Sequence, residues 1–310
     1  MVADIISVLS IIVVILIGYI SGKRNIISSD MSSELSKIVM LITFPFALFV
    51  STAKSDIHNL VNVSFFGAFF FGLMGLYLLI LLFCLWVLKK DRKTSGIIAL
   101  SISFPNMAFM GIPYLSQTLG GDSLIAIAIG NVITSVFMIP ITVALVEGEH
   151  AQTSFGGQLI NVLKKPLVFA PIIGIIFSAL HIELPQFVSN GFSLIGSATS
   201  PIALFALGLM MTKFKFRFSQ GSVSGIILKL LVQPVIAIAF VVIFSLHGLQ
   251  AQEIVILVAM PSAVIVGMFT EKYNTYQDEA VSMILGAVWS LSLLWCCLPS
   301  SQPICNRLLG

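Results

Sequence analysis

Charged residues are scarce in this 310-residue chain: they make up 9% of it, against 58% hydrophobic residues, where soluble domains carry about 25% charge. A shortage of that size excludes a soluble globule and predicts an all-α integral membrane protein. The four cysteines, Cys84, Cys296, Cys297 and Cys305, lack the paired spacings of a zinc site or a redox motif. The sequence contains no HExxH, GxSxG or P-loop pattern, so nothing points to an enzyme, a metal or a cofactor. No acid is expected at the midplane of any span, so a buried coupling carboxylate of the kind ion-driven carriers use is not foreseen. The net charge of +3 falls in loops and does not suggest a nucleic-acid partner. Asp4 stands where a cleavable signal would carry basic residues, so the first apolar run reads as a retained span.

What the chain does have is apolar length. Runs bounded by charge or turn residues lie near 3–21, 34–52, 63–88, 96–119, 123–146, 167–181, 191–211, 223–246, 252–270 and 280–298. Each is long enough, or nearly so, to cross a bilayer, which predicts ten transmembrane helices. Thirteen of the sixteen lysines and arginines fall in the odd-numbered loops. Cytoplasmic loops retain such residues, so both termini are expected outside a multi-pass cell-membrane protein.

One stretch breaks the apolar pattern. Ser101 to Leu115 reads SISFPNMAFMGIPYL, and its Pro105, Asn106, Gly111 and Pro113 interrupt helical hydrogen bonding inside a span. In lipid an unsatisfied backbone amide costs several kcal/mol, so such a break persists only where it lines a cavity or packs on protein.

The interruption recurs. Adding 156 to each position carries Pro105 to Pro261, Gly111 to Gly267, Gly18 to Gly174, Gly130 to Gly286, and Pro45-Phe46-Ala47-Leu48-Phe49 to Pro201-Ile202-Ala203-Leu204-Phe205. A single offset joining five matches in order predicts a duplicated unit: residues 1–150, a cytoplasmic linker at 151–165, and residues 166–310. Five spans per unit make the second copy inverted. Broken helices four and nine are then expected to cross near the midplane, where half-helix ends attract an anion or a cation.

Several residues compete for a role at that crossing. Asn106 offers a donor and an acceptor where the backbone is already broken, either to hold a carboxylate or to cap the second half-helix; Ser262 is its counterpart. Pro45 and Pro201 free carbonyls at Leu41 and Ser197, as a bend or as a cavity wall. Asn131 and Ser135 are placed to bond between helices. Lys229 lies roughly two turns into span eight, where a long stem reaches back to the interface, or else draws anions into the inner vestibule. His58, His181 and His247 read as interfacial, and Glu271 with Lys272 as a helix-end charge pair.

The stretches GYISGKRNIIS at Gly18–Ser28, LITFPFALF at 41–49, FPNMAFMGIP at 104–113, SPIALFALGL at 200–209 and MPSAVIVGMFTEKYN at 260–274 resemble the auxin efflux carrier family, which includes plant carriers and bacterial malate or malonate permeases. The resemblance implies a ten-helix fold related to bile-acid symporters, with spans 1, 2, 6 and 7 as scaffold and spans 3–5 and 8–10 as a moving unit. It also implies elevator-type transport of a small organic anion, often by a homodimer, with Pro105, Asn106 and Pro261 on the crossover motif. Two features depart from the family pattern: Ile265 stands where many bacterial relatives carry Asn, and the ending from Trp295, WCCLPSSQPICNRLLG, is unlike the usual apolar terminus.

Overall fold

The computed structural model describes residues 2–54, 62–107, 111, 115, 124–148, 164, 166–213 and 219–286. The expectations for Pro113, His58, most of the 151–165 linker and the tail from Trp295 lie outside these residues.

Helices account for nearly all of the described chain. They are α1 (Val2–Lys23), α2 (Met31–Ala53), α3 (Val63–Val87), α4 (Arg92–Ser103) and α5, which runs from Leu124–Ile133 into Ile139–Glu147. Then come α6 (Pro166–Ala179), α7 (Gln186–Lys213), α8 (Gln220–Ile243), α9 (Gly248–Ala259), α10 (Val264–Lys272) and α11 at 277–286. Five described helices are long and apolar enough to cross a membrane: α2, α3, α7, α8 and the Ile129–Glu147 part of α5. Among the described residues the one β-type pairing is an isolated antiparallel bridge between Pro105 and Ser262.

Local chemistry explains where the helices begin and bend. Asn62, Asp91 and Ser219 cap α3, α4 and α8 by accepting the amides of Phe65, Thr94 and Ser222, which satisfies donors that have no partner inside the helix. Wide i→i+5 turns at Val39–Thr43, Thr134–Met138 and Leu228–Val232 each end just before a proline, at Pro45, Pro140 and Pro234. Proline lacks an amide and clashes with the carbonyl four residues back; the wider turn gives that carbonyl room, so the helix bends without ending.

The helices pack in two groups. The first joins α1 to α7 and α6 to α2; the second joins α3 to α8 and α4, α4 to α5, and α8 to α9. Close approach in the first group rests on glycines at related positions. The Cα of Gly18 lies against the Phe205 carbonyl on α7, and that of Gly174 against the Phe49 carbonyl and Thr52 on α2. Both glycines and both phenylalanines are 156 apart, and small residues let helix backbones touch in this way.

The inside is densely apolar, with Tyr77, Phe69, Phe269 and Met40 among the largest fully buried side chains. Large apolar residues also face outward, including Leu16, Ile17, Trp86, Leu194, Val235 and Ile243. A surface of that composition suits hydrocarbon rather than water as solvent.

Candidate functional site

The two interrupted segments meet. After α4 ends at Ser103 the chain extends through Phe104 and Pro105, and after α9 ends at Ala259 it extends through Met260 to Ala263 before α10 begins. The extended pieces run antiparallel: the Asn106 amide donates to the Pro261 carbonyl at 2.8 Å, and the Ala263 amide donates to the Phe104 carbonyl at 2.9 Å. The Ser262 hydroxyl donates to the Ser101 carbonyl at 2.8 Å. Each broken helix thus satisfies backbone groups that the other leaves open, as burial away from water requires.

Asn106 is 2% exposed, and its own carbonyl accepts the Gly111 amide at 3.3 Å. Ser262 is 1% exposed, and its single proton is held by Ser101, so its hydroxyl clamps the crossing and has no proton left for a bound anion. Gly111 packs near Leu257 of α9, and Gly267 near Ile284 of α11 and Leu207 of α7. The structure therefore brings Pro105, Asn106, Gly111, Pro261 and Ser262 together, with Gly267 one turn into α10.

The remaining expected residues lie apart from these hydrogen bonds. Leu41 and Pro201 are exposed, Pro45 is buried in α2, and Asn131 is half-buried on α5. Ser135 was expected to bond between helices; its hydroxyl instead donates back to the Asn131 carbonyl of its own helix at 2.5 Å, the usual recourse of serine inside a helix.

Lys229 requires a larger correction. Its stem does not reach back to the interface: the residue is fully buried and turned inward. The ammonium donates to Gln233 Oε1 at 2.6 Å, to the Val258 carbonyl at 3.2 Å and to the Ser103 carbonyl at 3.3 Å. Gln233 Nε2 also donates to the Ser103 carbonyl, at 2.8 Å. Ser103 and Val258 lie in the last turns of α4 and α9, where carbonyls lack intrahelical partners and the helix dipole is negative.

Glu271 is also placed differently from expectation. Its carboxylate accepts the hydroxyls of Ser32 and Ser36 on α2 and sits 3.6 Å from the Lys213 ammonium of α7, so it reaches partners in the other helix group. Tyr273 donates to Glu147 at 3.1 Å; burial and the neighbouring carboxylate push its phenol well above the usual range. Glu253, on α9, is 6% exposed, an acid further inside the protein than its position at the edge of an apolar run indicated.

The two C-terminal helix ends are covered by Lys229 and Gln233, and the described helix start at the crossing is the N-terminus of α10. No side chain caps it at Ala263, and its first residues, Val264 and Ile265, are buried. Uncapped amides at a helix start carry positive partial charge and bind anions.

The family profile described as "Membrane transport protein" matches residues 4–162 and 153–296. Together the two matches cover nearly the whole chain. The chain belongs to the auxin efflux carrier family of membrane transport proteins. It is similar to the "Uncharacterized transporter YfdV" of Escherichia coli (strain K12), 29% identical over 296 residues, covering 90% of this chain and 91% of that protein. It is also similar to "Auxin efflux carrier component 5" of Arabidopsis thaliana, 21% identical over 327 residues with 91% and 92% covered. The mouse "Lysosomal cholesterol signaling protein" is 25% identical over 214 residues, which are 64% of this chain and 24% of that protein.

Two features of this auxin efflux carrier relative were missed in the sequence. Gln233 was passed over, although a lysine and a glutamine four residues apart share one helix face, and two polar groups on a single face of an apolar span belong inside. Thr43 and Thr199 were missed as well. Both are buried, and among the buried side-chain polar atoms of the described residues their hydroxyls are the ones with no hydrogen-bond partner. They too are 156 apart, each two residues before a proline, at Pro45 and Pro201, and the turn ending at Thr43 packs against α7 where Thr199 begins its second half.

Proposed function

We propose that this chain is a secondary transporter that moves a small organic anion across the cell membrane, with malate-like dicarboxylates as first substrates and auxin-like or other monocarboxylates next. One observation carries the reading: two proline-broken helices joined antiparallel in a buried setting, their negative ends covered by Lys229 and one positive end, that of α10, left uncapped. The anion sits at that helix start with Asn106 as its side-chain donor, and Thr43 and Thr199 offer hydroxyls from α2 and α7. Pro105 and Pro261 hold the break open, Gly111 and Gly267 let neighbours approach, and Leu41, Pro45, Pro201 and Asn131 form outer walls.

The wider arrangement belongs to the same proposal. Residues 1–150 and 166–310 form two inverted five-helix repeats joined by 151–165, with both termini outside. The group around α1, α2, α6 and α7 is a scaffold, and the group around α3 to α5 and α8 to α11 slides past it as an elevator, in a homodimer. The 156-residue offset shared by the Gly18–Phe205 and Gly174–Phe49 contacts supports the repeat.

Uptake of labelled malate, malonate and an indole carboxylate into proteoliposomes tests the reading. Uptake of at least one is expected above protein-free liposomes, and Asn106→Ala is expected to abolish it. Full uptake by that variant removes Asn106 from the site; uptake of none of the three overturns the anion assignment. A sensor that binds without transport is the competing reading, favoured by the name of the mouse relative. Saturable binding without uptake is the result that would select it.

A further inference from the structure

Lys229 does more in this structure than a salt-bridged or lipid-facing lysine would. Three oxygens converge on its ammonium: the Ser103 carbonyl at the end of α4, the Val258 carbonyl at the end of α9, and Gln233 Oε1. The lysine belongs to neither of the helices whose ends it covers; it reaches them from α8. Gln233 is fixed at both ends of its amide, accepting from Lys229 and donating to Ser103. All of these groups are shut off from solvent, Lys229 and Gln233 being fully buried.

Charge accounting indicates what kind of ion the arrangement is built for. Each helix C-terminus carries roughly half a negative charge, so the two ends that meet here sum to about one. A single monovalent cation balances them, and a divalent one would leave an excess. Contacts of 2.6 to 3.3 Å match an ammonium group.

We propose that the crossing of the two broken helices is a monovalent-cation site that Lys229 fills with its own ammonium, a tethered cation in the place of a diffusible one. The protein then has no need to dehydrate and bind a sodium or potassium ion here in order to hold its crossing together. Its folded state is indifferent to which monovalent salt surrounds it, and removing the side chain uncovers a site for a small cation. The inference stands on the crossing itself and is independent of the identity of the transported anion.

The test is thermal unfolding of the purified full-length protein in detergent, at constant ionic strength, in choline, sodium, potassium or methylammonium chloride. The wild type is expected to unfold at one midpoint in all four. Lys229→Ala is expected to unfold several degrees lower in choline and to recover saturably as potassium or methylammonium is added, since a ligand that binds only the folded state raises its stability. Lys229→Met, which fills the space without charge, is expected to be destabilised and not rescued. Should Lys229→Ala not survive in choline, it is purified in methylammonium, and its loss on exchange into choline is the same result. A wild type stabilised by sodium, or a Lys229→Ala protein that behaves alike in every salt, surviving or lost, overturns the proposal. Because the readout is stability and not flux, failure to carry malate leaves this inference untouched.

Discussion

A buried hydroxyl without a partner loses its hydrogen bonds to water and gains none, a cost of about 1–3 kcal/mol. Thr43 and Thr199 bear that cost at equivalent positions. Replacing each by valine keeps the shape and removes the unmet group, so Thr43→Val and Thr199→Val are each expected to raise stability by about 1 kcal/mol. If the hydroxyls serve the solute, the same variants transport roughly tenfold more slowly, and a thermal-shift assay beside an uptake assay separates the two effects. Asp91 gives a second prediction at this scale. Its carboxylate accepts the Thr94 amide, which holds its pKa below the ordinary 3.8. A folded-state value lower than the unfolded one means that the cap stabilises fully above about pH 4 and fades as pH falls through the depressed value. Asp91→Asn, which keeps an acceptor but no titrating group, is expected to flatten the acid side of the unfolding midpoint against pH, and an unchanged profile would remove the cap from that role. Residues were the hardest level to read from the sequence. Lysine two turns into a span looks the same whether it turns to the interface or to the core; Gln233 on the same face distinguishes the two. The threonine pair obeys the repeat offset that the prolines revealed and needed only to be compared.

At the level of helices the sequence was far more legible. Proline and asparagine in the middle of an apolar run mark a break because lipid offers no substitute hydrogen bonds, and the break at Pro105 and its partner at Pro261 are where the structure joins the two segments. What could not be read was the role of the third element, α8, whose Lys229 and Gln233 close the carbonyl ends. Nor did the sequence show that Pro45, Pro140 and Pro234 are absorbed by wide turns, since proline can kink or end a helix equally well. Helix contacts supply a direct test of the repeat. A Cβ at Gly18 or Gly174 would strike backbone or Thr52 of the facing helix, whereas at Gly191 it meets nothing within 4 Å. Gly18→Leu and Gly174→Leu are therefore each expected to destabilise by about 1–3 kcal/mol or more, with Gly191→Ala near neutral. Unequal effects of the first two on unfolding would argue against equivalent packing.

Across the whole molecule, two helix groups meet around a buried crossing whose charges are unevenly exposed. Carbonyl ends are neutralised from within, and an uncapped helix start remains. The proposal that the solute is an anion rests on that asymmetry more than on the family membership. Contacts between the groups, such as Glu271 of α10 with Ser32 and Ser36 of α2, are those that must break if one group slides past the other. The measurement that tests the account most directly is equilibrium binding of radiolabelled malate to purified protein, wild type against Asn106→Ala, with malonate and an indole carboxylate as competitors. Saturable binding that weakens at least tenfold in the variant, a loss of about 1.4 kcal/mol, and is displaced by a competing anion is the predicted result. Binding of equal strength in both proteins would place the solute away from the crossing and contradict the account.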